Sequence, residues 1–239
     1  SQQNSFPNMM AKEFAKTGGG SFTQPLMSDN YGGLAAGGTR LPGFNPRLVF
    51  GGAGPVPLES IIGPVTVGTD IFLNNPTGPF NNMGVPGAKS YHLLFDGYGN
   101  PANLATKTAN PYFIRMASST SATMLGDAMA QNPTFFTLSE IGGNDVLGYA
   151  IAGGDITVDQ ITPSSTFDFA FSTVALKLAN AASVVMPSAV FHHMAMVALP
   201  FFECFNVIRI SLLFVNEKFS RDALYSNPSL MIHATSLVG

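Results

Sequence analysis

The sequence predicts an α/β fold in which helices cover a mainly parallel sheet, within a single domain over residues 1–239. Apolar, β-prone runs alternate along the chain with amphipathic helical patterns, and this alternation is typical of parallel sheets. One such run, residues 134–141 (TFFTLSEI), lies between Pro133 and the Gly142-Gly143 pair, as expected for a buried strand. The chain is 46% hydrophobic, which is ample for a packed core.

The N-terminal part predicts one helix followed by a long irregular insertion. Ser5 is a suitable N-cap and Pro7 fits the first turn, so we expect a helix from there to Gly18. Residues 18–80 are rich in glycine and proline and contain short apolar runs such as residues 48–50. We expect irregular structure with short strands, long enough to be an elaboration over a site.

Three further helical regions are predicted before residue 182. Residues 110–132 indicate two helical pieces, which end at Pro133. The second piece would begin at one of three capping residues and bury an apolar face: Ser119, Thr120 or Ser121 as the cap, with Met124, Leu125, Ala128 and Met129 on the face. Helices are also expected over residues 145–152 and, capped by Ser164 or Ser165, up to residue 181. The second of these would present one apolar face at spacings of three and four: Phe167, Phe171, Val174, Leu178 and Ala181.

The C-terminal part of the same domain has a distinct composition. Strands are expected at residues 183–186, 205–215 and 230–233, with a helix over residues 217–224. Of the 25 glycines, 24 lie between Gly18 and Gly154, so residues 155–239 contain only the terminal one. Either a differently built segment begins near residue 155, or residue identities beyond it are wrongly assigned.

Composition excludes several classes of function. With 11 Lys and Arg against 14 Asp and Glu, the chain has no basic stripe for a nucleic-acid backbone. A single cysteine, Cys204, excludes an internal disulfide and a multi-cysteine zinc site. The longest uncharged stretch, residues 178–202, is interrupted by polar residues and prolines and matches a membrane-spanning helix poorly. We predict neither a metal site nor a cofactor.

Two clusters rich in glycine and asparagine carry the functional argument. The first is residues 81–90 (NNMGVPGAKS), and the second is residues 142–145 (GGND), directly after the predicted strand. In an open α/β sheet, ligands bind beyond the carboxyl ends of the strands. An accessible glycine N–H and an asparagine amide are the neutral donors that an oxyanion hole needs. Each cluster taken alone is better explained as a tight turn than as a site.

Taken together, the two clusters resemble a known family. The order N-x-G-x-x-G-A-x-S, then G-G-N-D after a strand, is similar to the second and third sequence blocks of the SGNH (GDSL-type) hydrolases. The segments NSFPNMMAKEF, GGGSFTQPLM, GPFNNMGVPGAKSYHLL, NPYFIRMASS and AQNPTFFTLSEIGGNDVLGYA resemble the branch found among Bacteroidetes surface lipoproteins. The resemblance covers about residues 1–165.

This resemblance implies a fold, an activity and a set of site residues. The fold would be a flavodoxin-like three-layer α/β/α sandwich, and the activity hydrolysis of ester bonds in lipids or acylated carbohydrates. Gly87 would donate its backbone N–H, and Asn144 its side-chain amide, to the oxyanion. Gly84 would permit the tight loop of the first cluster. Gly143 and Asp145, on either side of Asn144, would support the loop that presents it.

Two blocks of the family pattern are not found in the chain. The nucleophile block, G-D-S-L or G-N-S-L, is missing, and we expect the nucleophilic serine upstream of Ser1. The D-x-x-H block of the general base is missing as well, and His233 is the candidate base because it lies at the end of the last predicted strand. The other histidines are better explained by packing: His92, His192 and His193. Cys204 lies among phenylalanines and is better explained as a buried apolar residue than as a thiol nucleophile.

The sequence leaves two functions open. The chain is either a serine esterase or a non-catalytic surface protein of the same fold that binds glycans or a partner subunit through its glycine-rich segment. By resemblance, the protein would be an exported lipoprotein at the cell surface or outer membrane, with an outer-membrane protein as a candidate partner. A G-D-S-L or G-N-S-L block before Ser1 would favour the enzyme.

Overall fold

A computed structural model describes residues 2–72, 78–133, 135–138 and 141–181. Within these ranges the chain combines helices with small antiparallel sheets, so the mixed α/β character predicted from the sequence is confirmed. The strands and the helix predicted between residues 183 and 233 lie outside the described residues. The same holds for three of the four histidines and for the cysteine: His192, His193, His233 and Cys204.

The first helix forms where the capping pattern predicts it. A short 3-10 turn, Gln2–Asn4, leads into α1, Phe6–Ala15, with Ser5 as the extended N-cap and Pro7 in the first turn. The Ser5 hydroxyl does not cap the helix but donates to Oε1 of Gln24 at 2.7 Å. The cap residue therefore ties α1 to the chain that follows it.

Residues 18–72, which we call the Gly/Pro-rich arm, contain two small hairpins. In the first, β1 (Ala35–Ala36) pairs with β2 (Thr39–Arg40), and in the second, β3 (Leu48–Phe50) pairs with β4 (Pro55–Pro57); both pairs are antiparallel. The register places Val49 opposite Val56. A single turn of helix, α2 (Glu59–Ile62), follows. The predicted insertion with short strands is confirmed.

The remaining described helices lie in the second half of the chain. They are α3 (Pro111–Ile114), α4 (Met124–Met129), α5 (Gly143–Ile151) and α6 (Ser164–Ala181). Short 3-10 helices cover Ser90–Leu94 and Pro101–Asn103. Helices α5 and α6 lie within two residues of their predicted bounds, and α3 and α4 both lie within the helical region predicted over residues 110–132.

Two local predictions are wrong. The cap of α4 is Thr123, whose hydroxyl accepts from the Gly126 N–H at 2.9 Å, and not one of the three preceding hydroxyl residues. Of the predicted strand over residues 134–141, the described part, residues 135–138, shows one bridge residue, Leu138, and no ladder. The described sheets are two-stranded and antiparallel, and within the described ranges no parallel sheet forms.

The main core includes Met83, Val85 and Ala88 of the first glycine-asparagine cluster and buried side chains of the helices around it. Aromatic, methionine and aliphatic side chains of the 3-10 helix Ser90–Leu94, α3, α4 and α6 are fully buried together: Leu93, Phe113, Met124, Leu125, Ala128, Val174 and Leu178. Predicted stripe residues of α4 and α6 are among them. A smaller cluster joins the arm to α3 through Leu34, Ile71 and Ile114. In the described ranges, no helix combines the length and apolarity needed to cross a bilayer.

Candidate oxyanion site

Gly87 lies in an exposed loop over residues 86–90, which we call the Gly87 loop. Its φ of +78° is in the left-handed region, where residues with a side chain are strained. Nothing lies within 4 Å of the position that a Cβ would take, so the backbone conformation and not crowding favours glycine here. The preceding Pro86 and the following buried Ala88 complete a tight turn that presents the Gly87 backbone outward.

The Gly87 N–H is the one backbone donor of residues 87–90 that has no partner among the described residues. The other three N–H groups are taken: Ala88 donates to Val85 O at 3.2 Å, Lys89 to His92 Nδ1 at 2.9 Å, and Ser90 to Asp145 Oδ2 at 2.9 Å. An exposed N–H in a loop whose other donors are fixed is available to a ligand anion.

Asn144 reaches the same loop from the start of α5. The helix begins after Gly142, which has a φ of +102°, and Asn144 is its second residue. The Asn144 Nδ2 donates to Ala88 O at 2.8 Å. A side-chain amide carries two hydrogens, and the second has no partner among the residues that the structure describes. Asn144 therefore contacts the Gly87 loop at Ala88, the residue that follows Gly87.

Asp145 holds the two glycine-asparagine clusters together. It is buried, and its carboxylate accepts from Ser90 N at 2.9 Å and from Ser90 Oγ at 2.7 Å. The resemblance implied that Asp145 holds the loop of Asn144. Its side chain instead holds the Gly87 loop, because the carboxylate points from α5 across to Ser90. Its own backbone oxygen accepts from Thr162 N at 2.9 Å.

The two supporting glycines have simpler roles. Gly84 donates its N–H to Asn82 Oδ1 at 3.1 Å and so closes a local turn before the Gly87 loop. Asn82 Nδ2 in turn donates to Gln24 Oε1 at 3.1 Å, which links this turn to the arm. Gly143 is the first residue of α5, directly before Asn144.

His92 is a structural neighbour of the site and is held neutral. Its Nδ1 accepts the Lys89 N–H, so the ring proton lies on Nε2. The ring stacks on Tyr98 with centroids 4.2 Å apart and an interplanar angle of 11°. Burial, assisted by the positive charge of Lys89 and opposed by Asp145, lowers the pKa of His92 to about 4. This agrees with the packing role expected from the sequence.

An ion pair closes the other side of the loop. Lys89 Nζ lies 2.7 Å from Asp159 Oδ1 and also donates to Gln160 O at 3.3 Å. The hydrogen bond from Lys89 lowers the pKa of Asp159 below its ordinary value. The carboxylate of Asp159 also passes close to α5, because a Cβ on Gly148 would meet its Oδ2. The cation nearest Gly87 along the chain is thus already neutralised.

Sequence reasoning missed two residues that shape the site. Ser90 belongs to the first cluster, but the sequence does not indicate that its partner is Asp145. Asn110 donates from Nδ2 to Pro86 O at 2.9 Å and to Tyr98 OH at 3.0 Å. The sequence signal for Asn110 was the Asn-Pro pair, which marks a helix cap but does not reveal a contact 24 residues away.

The site as described can bind a developing negative charge with neutral donors. His233, the candidate base, lies outside the described residues. Among the described His, Cys, Asp and Glu side chains, no group of three or more could hold a metal ion. Comparison of the chain with protein-family models, with curated proteins and with solved structures finds no match.

Proposed function

We propose that this chain carries the oxyanion-binding part of an SGNH-type serine esterase, with a flavodoxin-like α/β/α fold, that cleaves ester bonds of lipids or acylated carbohydrates. One observation carries the proposal: Gly87 is exposed, its N–H has no partner among the described residues, and the next residue, Ala88, accepts a hydrogen bond from Asn144. Two sequence blocks that are separated by more than fifty residues thus meet at one loop.

The chemistry would follow the general scheme of acyl transfer. A serine oxygen attacks the ester carbonyl carbon and loses its proton to a base, for which His233 is the candidate. The carbonyl oxygen becomes an oxyanion, and the N–H of Gly87 and the free Nδ2 hydrogen of Asn144 would stabilise it. Collapse expels the alkoxide, which takes the proton back from the base, and water then hydrolyses the acyl-enzyme.

The surroundings of the donors support this assignment. Preorganised donors stabilise a transition state because they need no reorganisation when charge develops. Asp145 fixes the Gly87 loop at Ser90, and Asn144 fixes it at Ala88. The Lys89 ammonium is occupied by Asp159, so charge stabilisation would fall to the neutral donors.

Substitution of Asn144 in the full-length protein tests the proposal. Asn144→Ala removes the amide and should lower turnover of an aryl acetate by about 10²-fold, the usual cost of one oxyanion donor. Asn45, an exposed asparagine of the arm, is the matched control, and Asn45→Ala should leave turnover unchanged. Equal turnover in wild type and Asn144→Ala, both folded by circular dichroism, would contradict the proposal.

A non-catalytic role of the same fold is the second candidate, because one feature of the arm favours it. Several large apolar side chains on the second hairpin and α2 are solvent-exposed: Leu48, Phe50, Ile61 and Ile62. Such a patch is typical of a surface that binds a partner. The protein would then be an exported lipoprotein subunit that binds glycans or an outer-membrane protein. Absence of both turnover and fluorophosphonate labelling in the full-length protein would favour this role.

A further inference from the structure

We propose that Asn110 is the positioning residue that aims the Gly87 N–H. The inference rests on the proposed function for its effect on turnover, but its effect on the loop can be measured independently. Asn110 is the N-cap of α3 and lies outside the two sequence clusters that define the site. It contacts the peptide that carries the Gly87 N–H and not the reacting atoms.

The argument begins with the peptide between Pro86 and Gly87. Among the described peptide bonds, the cis bond is Gly78–Pro79, so Pro86–Gly87 is trans. In a trans peptide the C=O and the N–H lie in one plane and point in opposite directions. Any group that fixes the direction of the Pro86 carbonyl therefore fixes the direction of the Gly87 N–H.

Asn110 fixes that carbonyl with an Nδ2 hydrogen bond of 2.9 Å to Pro86 O. The second Nδ2 hydrogen is directed to Tyr98 OH at 3.0 Å, and Oδ1 accepts from Tyr112 N at 2.9 Å. The amide is therefore engaged on both sides and cannot rotate without losing a partner. Tyr98 is itself buried and stacked against His92, which gives the amide a rigid support.

The backbone of Gly87 makes this support necessary. Glycine has wide conformational freedom, and the N–H of Gly87 has no partner among the described residues that would restrict it. Asn144 and Asp145 fix the later part of the loop, at Ala88 and Ser90, but neither contacts the Pro86–Gly87 peptide. Asn110 is the described side chain that does.

The chain contains a matched control for this residue. Asn100-Pro101 repeats the Asn110-Pro111 pattern, and its Oδ1 accepts from Ala102 N at 3.0 Å to cap the 3-10 helix Pro101–Asn103. Its Nδ2 has no partner among the described residues. Aspartate keeps the capping oxygen but lacks the amide donors. Asn110→Asp and Asn100→Asp thus preserve both caps, and one of them also removes the contact with Pro86.

The experiment compares these two variants in the full-length protein. With an aryl acetate as substrate, Asn110→Asp should lower kcat by about 10- to 100-fold with KM changed less than about twofold, since misdirecting one donor affects the transition state. Asn100→Asp should match wild type. In parallel, the backbone ¹⁵N order parameter of Gly87 should fall from roughly 0.85 to below about 0.6 in Asn110→Asp alone.

Each outcome decides between the alternatives. Unchanged kcat and an unchanged order parameter, or equal losses in both variants, would overturn the proposal and leave Asn110 as a helix cap. Loss of Gly87 order in Asn110→Asp in a protein without esterase activity would support the positioning role while overturning the proposed function. If Asn110→Asp does not fold, Asn110→Ser replaces it, because serine also caps a helix but lacks the amide that contacts Pro86. An unchanged Gly87 order parameter in that variant would overturn the proposal.

Discussion

The Gly/Pro-rich arm and the helical half of the molecule, residues 80–181, both contain glycine-rich turns. They differ in how far their large apolar side chains are buried. In the arm, the second hairpin leaves Phe50 78% exposed and Leu48 62% exposed. In the helical half, Phe113 and Met124 are fully buried in one continuous cluster. The second hairpin of the arm thus presents apolar side chains to solvent, and the cluster around Phe113 encloses its own.

The polar contacts of the two regions differ in the same way. In the arm, Arg40 pairs with Glu59 at 2.7 Å in a partly exposed ion pair. In the helical half, the carboxylate of Asp145 is buried and accepts both hydrogen bonds of Ser90. A hydrogen bond or ion pair holds its side chains rigidly when it is buried, because water competes with exposed partners. Four predictions test the packing of the two regions.

The largest effect should come from removing a buried aromatic ring. Phe113→Ala leaves a cavity in the main core and should destabilise the protein by about 3–5 kcal/mol. Phe50→Ala removes a ring that is already solvated and should change the free energy of unfolding by less than about 0.5 kcal/mol. Chemical denaturation of both variants measures the contrast, and similar losses would show that the arm is packed as tightly as the core.

Two aspartates that each accept two hydrogen bonds extend the comparison to polar groups. Asp145→Ala leaves Ser90 N and Ser90 Oγ unpaired in a buried place and should cost about 2–4 kcal/mol. Asp29 of the arm accepts from Tyr31 N at 2.8 Å and from Gly68 N at 2.6 Å, but it is only half-buried. Asp29→Ala should therefore cost about 1 kcal/mol, and equal losses in denaturation would contradict the difference between the regions.

Acidification should affect the helical half before the arm. The pKa of His92 is lowered to about 4 from an ordinary 6.5, so its neutral form stabilises the fold fully above pH 6.5 and progressively less as the pH falls toward 4. The resulting decrease in the free energy of unfolding should reach at most about 3 kcal/mol. Hydrogen bonding to Arg40 lowers the pKa of Glu59 to about 2, so its contribution is lost only between pH 4.5 and 2.

The difference between wild type and His92→Leu isolates the effect of this imidazole from other titrating groups. Urea denaturation at pH 7, 5.5 and 4.5 should show that the free energy of unfolding falls more steeply with decreasing pH in wild type than in His92→Leu. Parallel pH profiles of the two proteins would mean that His92 titrates as it does in the unfolded chain.

The smallest effect concerns the close approach at Gly148. Alanine within a helix normally stabilises by about 1 kcal/mol over glycine. At Gly148 the new Cβ would displace Asp159 and break its ion pair with Lys89, which should cancel that gain. In an Asp159→Ala background, Gly148→Ala should again be stabilising by about 1 kcal/mol. A double-mutant cycle measured by thermal unfolding checks the coupling, and additivity of the two changes would refute it.

The sequence by itself determined the elements whose signals are local. Ser5 and Pro7 marked the start of α1, and spacings of three and four placed the buried faces of α4 and α6. The two glycine-asparagine clusters were identified as a pair through their resemblance to known blocks, and the structure places them in contact. These features were predictable because capping and periodicity depend on residues within one or two turns.

Only the tertiary structure decided which donors remain free and what holds them. The Ser90 N–H is paired because Asp145 on α5 reaches it, whereas the Gly87 N–H has no partner among the described residues. The contact of Asn110 with Pro86 likewise depends on how α3 packs against the loop. Such contacts join residues far apart in the chain and are set by packing of whole elements, so no local pattern encodes them. For the same reason the run before Gly142 was predicted as a strand from its β-propensity, whereas pairing in a sheet requires a partner strand elsewhere in the chain.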